Sequence, residues 1–354
     1  MIAIICISVF SIQLLVASIL QIARSKKNRV KNNIPVGEIS FLIPFHNEKE
    51  RIGKLIQSIN KSVYTGKCEF IFIDDHSTDA TKELLNKELK IPFIYLQNTN
   101  KKGKKWAIKT GVKAAKYKFV ITLDADVYFD KDYINNVLQL PVGNSEYASL
   151  VILPVTINSS TFIGKLACIE FNFLETLGLG LGKINQPILC YGANLGFSKA
   201  SFLDLDATRN DYDIASGDDL FLLNAMQKQG KNTVTYSDAI YAVNTEPPSS
   251  FKANIIQRQR WFGKMGDLFN AFSLVSLLLL ALVQIAGITA LFLSFYNPVF
   301  LVILGIKYLA EIITVWQFIK LNYLHFFILL VHQIYYPFYI LALLFPFSTD
   351  KKWR

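Results

Sequence analysis

Apolar residues are spread along this chain in two different ways. No charged residue occurs from Met1 to Ala23 or from Ala271 to Tyr296, and further apolar blocks run from Pro298 to Phe318 and from Leu324 to Phe347. Crossing a hydrocarbon core of roughly 30 Å takes about 20 helical residues, and each block has that reach. Three such blocks in succession exceed what the core of a soluble domain needs. The pattern predicts a membrane anchor over 1–23 and a membrane domain of about three helices over 270–347. Over 34–250 the apolar runs are short and alternate with polar loops, as in a domain with its own core.

The short runs carry two periods. Ile39–Phe45, Glu69–Ile73, Pro92–Leu96 and Phe119–Leu123 have the look of strands, whereas Glu50–Asn60 puts Ile52, Leu55, Ile56 and Ile59 on one helical face. Further helices are expected up to Leu89, with Thr78 or Asp79 suited to the N-cap, and over Ala107–Ala115. Strands alternating with helices predict an α/β domain with a mainly parallel, Rossmann-like sheet, whose polar residues just after the strands line one crevice. Asn47, Asp75 and Asp124 fall at such positions.

Charge sets the orientation. Arg24, Lys26, Lys27, Arg29 and Lys31 follow the first apolar run, where a cleaved leader would carry its cations before it. The positive-inside tendency then places the middle block in the cytoplasm, at the inner face of the cytoplasmic membrane. Three later crossings would leave the C-terminus outside, and Lys351, Lys352 and Arg354 pull the other way. The net charge of +10 would suit nucleic acid, but the cations flank the apolar blocks or lie in Lys101–Lys118. Anionic headgroups of the bilayer account for much of them, and no nucleic-acid partner is expected. Cys6, Cys68, Cys168 and Cys190 lack metal or redox spacing and are expected to be reduced structural thiols.

Asp124-Ala-Asp126 ends the fourth expected strand, so both carboxylates can reach one point as the chain leaves the sheet. Hard divalent cations take such oxygens together with substrate phosphates. A lone D-x-D is more often a solvated turn, but the same block holds Asp74-Asp75, Lys102-Gly-Lys104-Lys105 and Asp218-Asp219. The last pair precedes a helical run and could simply cap it, although a capping carboxylate can also serve as a base. At the edge of the membrane domain, over 251–268, Gln257-Arg258-Gln259-Arg260-Trp261 sets anion-binding and ring-stacking groups side by side. Deeper in, Lys307 and Glu311 are one helical turn apart and are expected to pair, while His325 and His332 are expected to be hydrogen-bonded packing residues.

These residues resemble the family 2 glycosyltransferases, the inverting membrane enzymes that include cellulose, chitin and hyaluronan synthases and ceramide glucosyltransferases. The resemblance runs in order through Pro44-x-x-Asn47-Glu48, Asp74-Asp-x-Ser-Thr-Asp79, Lys102-Gly-Lys-x-x-Ala107, Asp124-x-Asp126, Gly192-Ala-Asn194, Gly217-Asp-Asp219 and Gln257-x-x-Arg260-Trp261. It implies a GT-A fold and a nucleotide-sugar donor, most often a UDP-sugar. On that analogy Asp219 is the catalytic base, while Asp75, Lys104, Asp124, Gln257 and Arg260 bind the donor. Asp124 and Asp126 hold a divalent metal, Mg²⁺ or Mn²⁺, and Trp261, Asp218 and Asn194 meet the acceptor. Arg258 is left to anchor on lipid phosphate. His76 stands where many relatives have a small residue.

The chemistry agrees with those roles. A positioned carboxylate lowers the barrier for a hydroxyl nucleophile by taking its proton, and a cation with an arginine fork stabilises a departing diphosphate. The small membrane domain favours one transfer to a lipid or lipid-linked glycan over repeated transfer to a growing polysaccharide. A catalytically silent scaffold of the same fold would have no need of Asp124, Asp126 and Asp219 together.

Overall fold

A computed structural model describes residues 1–26, 35–141, 148–209, 211–212, 214, 217–248, 250–262, 271–316 and 323–343. In chain order these begin with α1 (Ile2–Ser25), β1 (Glu38–Phe45), α2 (Gly53–Lys61), β2 (Lys67–Asp74), α3 (Thr81–Glu88), β3 (Ile94–Gln97) and α4 (Lys104–Ala114). Next come β4 (Phe119–Leu123), α5 (Tyr133–Leu138), β5 (Leu150–Ile152), β6 (Val155–Ile157), α6 (Phe162–Lys183), β7 (Asn194–Ser198) and α7 (Lys199–Asp206). The rest are α8 (Asp218–Lys228), β8 (Thr233–Thr235), β9 (Val243–Thr245), α9 (Phe251–Phe262), α10 (Ala271–Ser294), α11 (Val299–Val315) and α12 (Tyr323–Leu343).

Contacts divide the chain into two units. One draws on Met1–Lys26, Ile157–Leu181 and Pro247–Thr349, the other on Lys27–Thr156 and Gly182–Glu246. Residues 157–181, inside the stretch expected to form one block with 34–250, therefore pack with the long apolar helices instead.

The second unit is built on a seven-stranded sheet of order β3-β2-β1-β4-β7-β5-β8. β1 pairs in parallel with β2 and β4, and β2 with β3, whereas β7 runs antiparallel to both β4 and β5. From Ile39 to Phe45 every residue of β1 is buried, as a strand covered on both faces must be. The chain leaves β1 toward β2 and β3 and returns to its other side as β4, so the crevice at the C-terminal ends of β1, β2 and β4 is a switch point where such sheets bind ligands. Helix α4 lies close on this sheet because Gly111 has no side chain. A Cβ there would meet Ile73 Cδ1 at 2.9 Å and Leu42 Cδ2 at 3.1 Å.

Helix starts differ from expectation for local reasons. The run expected over Glu50–Asn60 becomes helical only at Gly53, after Arg51 and Ile52 donate backbone N–H bonds to the Glu48 carbonyl in a preceding turn. At α3 the Asp79 carboxylate accepts from the Thr81 N–H at 3.1 Å, as a cap would, while Thr78 N–H donates instead to Asn47 Oδ1 at 2.8 Å.

In the helical unit, two described helices, Ile2–Ser25 and Leu274–Ser294, are long and apolar enough to cross a membrane. Cys6 and Phe10 of α1 pack on Ala286, Ala290, Phe300 and Ile303. Gln21 Nε2 donates to the carbonyls of Ile313 and Thr314 at 2.8 and 2.7 Å, which runs α1 alongside α11. Lys307 and Glu311 pair at 2.5 Å, as their spacing predicts, and Lys307 also donates to Gln333 Oε1. His332 differs from expectation: it is buried by stacking 4.7 Å from the Tyr336 ring, and neither ring nitrogen has a hydrogen-bond partner among the described residues. The side chain of His325 lies outside the described residues.

The packing of α4 gives a stability test. Gly111→Val should destabilise the protein by about 1–3 kcal/mol through overpacking, seen as a lowered melting temperature. Gly53→Ala, where a Cβ meets nothing within 4 Å, should leave it within about 0.5 kcal/mol of the parent.

Candidate active site

The crevice at the sheet edge gathers most of the expected residues. Asp75, just past β2, is buried, with Oδ1 accepting from Asn98 Nδ2 at 2.6 Å and Oδ2 from the Gly103 N–H at 2.8 Å. It thus holds the loop that delivers Lys104 at the first turn of α4. Gly103 has φ +147°, a conformation that side chains rarely adopt. The neighbouring turns are left-handed at Asn47 (φ +54°) and His76 (φ +63°), so the bulk of His76 sits where a small residue costs less.

Lys104 is the centre of the crevice. Its Nζ lies 2.7 Å from Asp124 Oδ1 and 3.1 Å from Asp218 Oδ2, joining the end of β4 to the start of α8. Burial alone would lower its pKa, but Asp124, Asp218 and Asp219 together hold it above the usual lysine value. Asp219 stands beside it in the first turn of α8, its Oδ2 accepting from the Gly192 N–H at 3.0 Å and its Oδ1 from the Leu220 N–H at 2.8 Å. Burial and then Asp218 push its carboxyl up to about 6, against the pull of Lys104 and the two N–H groups. Gly192 permits this packing. A Cβ there would lie 2.6 Å from Asp218 Oδ2 and 3.0 Å from Lys104 Nζ.

Asp126 Oδ2 lies 3.6 Å from Arg51 Nη1. Its carboxyl is raised by burial and by Asp124. Beside it is Glu48, which the sequence offered only as part of a motif. Burial, with help from Asp126 and Asp124, pushes the Glu48 carboxyl up to about 8 despite its 2.6 Å contact with Arg51. Glu48 Oε2 has no hydrogen-bond partner among the described residues. Carboxyl groups therefore crowd here, and a bound cation would draw them toward their ionised form. Among the described residues no three His, Cys, Asp or Glu side chains converge in metal-binding geometry; Asp124 and Asp126 supply two carboxylates, which would leave phosphate and water oxygens to complete the shell of a hard cation.

Two further residues escaped the sequence. Lys105, next to Lys104, turns away from the crevice and places Nζ 2.8 Å from Asp211 Oδ2, which also accepts from Arg209 Nη2 at 2.8 Å. Burial alone would raise Asp211, but Arg209 and Lys105 hold its carboxyl down at about 2. This fastens to α4 the segment that leads into Asp218 and Asp219. No sequence spacing announces such a clamp, because its partners are about a hundred residues apart.

Asn194 requires a correction. It was expected at the acceptor, but its side chain is buried within β7, with Oδ1 accepting from Tyr133 Oη at 2.7 Å and Nδ2 donating to the carbonyls of Pro154 and Tyr241 at 2.8 and 2.9 Å. The amide is committed to the fold. Gln257, Arg260 and Trp261 lie on α9 in the helical unit. Arg258 is also corrected. It is not a headgroup anchor but a buried residue, 3.0 Å from Glu170 Oε1 and with its guanidinium 4.2 Å from the centre of the Trp261 ring.

With this arrangement in place, the similarity to known proteins is informative. Residues 40–202 match the sequence profile of glycosyl transferase family 2. The chain carries a family 2 glycosyltransferase domain. A poly-beta-1,6-N-acetyl-D-glucosamine synthase of Staphylococcus aureus (strain COL) is 31% identical over 134 residues, 38% of this chain and 32% of that protein. The Staphylococcus epidermidis protein of that name is 32% identical over 136 residues, with the same coverage. The matched part of the chain thus spans about a third of these relatives. A mannosyltransferase from Pyrobaculum calidifontis, solved with GDP-Man and Mn²⁺, superposes with a TM-score of 0.58 over 95% of this chain and 99% of that one, at 16% identity. That likeness shows the fold, which is GT-A.

The glycosyltransferase domain depends on glycine at position 192. Gly192→Ala should wedge Lys104 from Asp218 and lower nucleotide release from a bound donor by about tenfold or more. The check is turnover alongside a melting curve, which should move by no more than a few degrees.

Proposed function

We propose that this chain is an inverting glycosyltransferase that moves a sugar from a nucleoside diphosphate sugar, most simply a UDP-sugar, to a hydroxyl of a membrane-associated lipid or lipid-linked glycan, once per encounter. The observation that carries this reading is Asp219: a half-buried carboxylate tuned toward neutrality, beside a lysine that bridges the D-x-D turn to its own helix. A general base works best when its pKa is near the working pH.

In this mechanism the donor lies along the crevice, its base flanked by Asp75 and the loop that Asp75 holds, and its diphosphate toward Lys104; Gln257 and Arg260 carry the donor-binding role that the family resemblance implies. Asp219 takes the proton of the acceptor hydroxyl as that oxygen bonds to the anomeric carbon and the carbon–phosphate oxygen bond breaks. The electron pair leaves with the nucleoside diphosphate. A single displacement with no protein nucleophile inverts the anomeric carbon. Asp124 and Asp126 would hold Mg²⁺ or Mn²⁺, which when bound neutralises charge on the leaving diphosphate. Asp218 keeps Lys104 in place, and the indole of Trp261 has the flat apolar face that suits a sugar ring, the acceptor-binding role that the resemblance implies for it. Two helices long and apolar enough to cross a membrane support an acceptor at the bilayer, and the cations that follow the first apolar run favour a catalytic domain on the cytoplasmic side.

A second reading, repeated transfer to a polysaccharide, is favoured by the relatives named as poly-beta-1,6-N-acetyl-D-glucosamine synthases. Their name also makes a UDP-N-acetylhexosamine the first donor to try. Membranes given labelled donor separate the two readings, since extractable label in a discrete lipid supports single transfer and label in a high-mass polymer supports the second.

Three outcomes are expected of the purified chain in a nucleotide-release screen. Asp219→Asn should lower kcat by about 10²–10⁴-fold while donor binding, read by titration, survives; full turnover in this variant would remove Asp219 as the base. Because the base must be ionised, kcat/KM should fall as pH drops through about 6 and level off above it. Chelation of divalent cations should abolish release and restoring Mg²⁺ or Mn²⁺ should recover it, with both effects lost in Asp126→Ala.

A further inference from the structure

The helical unit holds a charged pair that the proposed mechanism leaves without a task. Glu170 on α6 and Arg258 on α9 are 5% and 2% exposed, and Arg258 Nε donates to Glu170 Oε1 at 3.0 Å. The same guanidinium makes two more contacts. Nη1 donates to Gln257 Oε1 at 3.1 Å, and Cζ lies over the Trp261 ring, 4.2 Å from its centre. One buried group thus touches the first and the last side chain of the Gln257–Trp261 motif.

We infer that Glu170 and Arg258 are positioning residues that fix the side chains of Gln257 and Trp261 for the donor and acceptor. This rests on the proposed reading, in which those two residues meet the substrates.

Three features of the pair support it. First, the contacts suit a guanidinium, which donates two hydrogen bonds in fixed directions while its delocalised charge lies over an indole; a lysine ammonium is a compact point charge that does not match both. Second, stability does not explain the charges, because a buried ion pair is commonly matched or exceeded by apolar residues of the same volume. What the pair adds is a fixed geometry. Third, both ends are held. α6 is tied down by Thr176 Oγ1 donating to the Thr314 carbonyl at 2.7 Å. α9 is tied by Phe251, edge-on to Tyr335 and Tyr339 at 6.0 and 6.1 Å, and by Gln259 Nε2 donating to the Leu343 carbonyl at 3.3 Å. Trp261 lies three residues from Arg258, on the same helix face, so orienting the arginine orients the ring.

The test is a double-mutant cycle in the full-length chain. Arg258→Lys should lower kcat/KM for the acceptor by roughly ten- to thirtyfold, the size of one desolvated cation–π contact. In a Trp261→Ala background the same change should cost less than about threefold, because its effect passes through a ring that is gone. Glu170→Gln should follow Arg258→Lys in both backgrounds. Equal fractional losses in the two backgrounds, or an Arg258→Lys variant with full kcat/KM, would overturn the inference.

A substrate-free measurement keeps it testable whatever the reaction proves to be. The chain has four tryptophans, and 5-fluorotryptophan labelling gives each a ¹⁹F resonance, with Trp261 assigned by Trp261→Phe. Glu170→Gln and Arg258→Lys should each shift or broaden the Trp261 signal, leave the Trp106 signal in place and keep a cooperative melt. An unmoved Trp261 signal sinks the positioning role. If instead that signal moves but the parent releases nucleotide from no donor, the enzymatic reading fails and the positioning role stands.

Discussion

Lys104 holds together a site that its own charges would otherwise force apart. Asp124 ends β4 and Asp218 and Asp219 begin α8, so three carboxylates from two distant segments share a poorly hydrated crevice. Like charges at such distances repel strongly in a low dielectric, and one ammonium placed between them turns repulsion into a bridge. The bridge is itself supported. Asp75 binds the Gly103 N–H and so aims the first turn of α4, while Lys105 on the opposite side fastens α4 to Asp211. Two adjacent lysines therefore do different jobs, one facing the crevice and one the segment that feeds it.

The environments of the carboxylates separate their possible roles. Asp219 lies at a helix N-terminus and accepts two backbone N–H bonds, which stabilise its charge, yet burial and Asp218 outweigh them and raise it. Glu48 and Asp126 are raised by burial and by neighbouring carboxylates, against Arg51 for both and Lys104 as well for Asp126. One side of the crevice is thus balanced by the chain's own lysine, and on the other burial and crowding hold the carboxyls toward their neutral form until a cation is bound. A carboxylate near neutrality suits proton transfer, whereas surplus carboxylate suits a bound cation.

Much of this was legible in the sequence because it is periodic or local. β1, β2 and β4 were expected within a residue or two, since buried parallel strands are nearly continuous apolar runs. Asp124 stood out at a strand end and Asp218 and Asp219 before a helical run, whereas Lys104 stood out only in a basic run whose role the family resemblance supplied. Asn194 shows the limit of the same argument. It shared a motif with the crevice residues, but an amide that can satisfy Tyr133, Pro154 and Tyr241 at once is worth more inside the fold, and nothing in residue order reveals those three partners. α6 was missed for a related reason: Glu170, Asn172 and Glu175 interrupt its apolar pattern, and all three are buried.

The buried ion pairs make the physical point most sharply. A charge inside an apolar helical unit must have a partner, because leaving it unpaired costs several kcal/mol. When the partner is one turn away, as Glu311 is from Lys307, spacing alone predicts the pair. For Arg258 the same requirement holds, but its partner is 88 residues upstream on α6, so the sequence allowed a solvent-facing reading that burial rules out. The rule that transfers is conditional: a cation in an apolar helix without an acid one turn away implies an acid on another helix. An acidic residue that interrupts an otherwise apolar run, as Glu170 does, is where that partner should be sought.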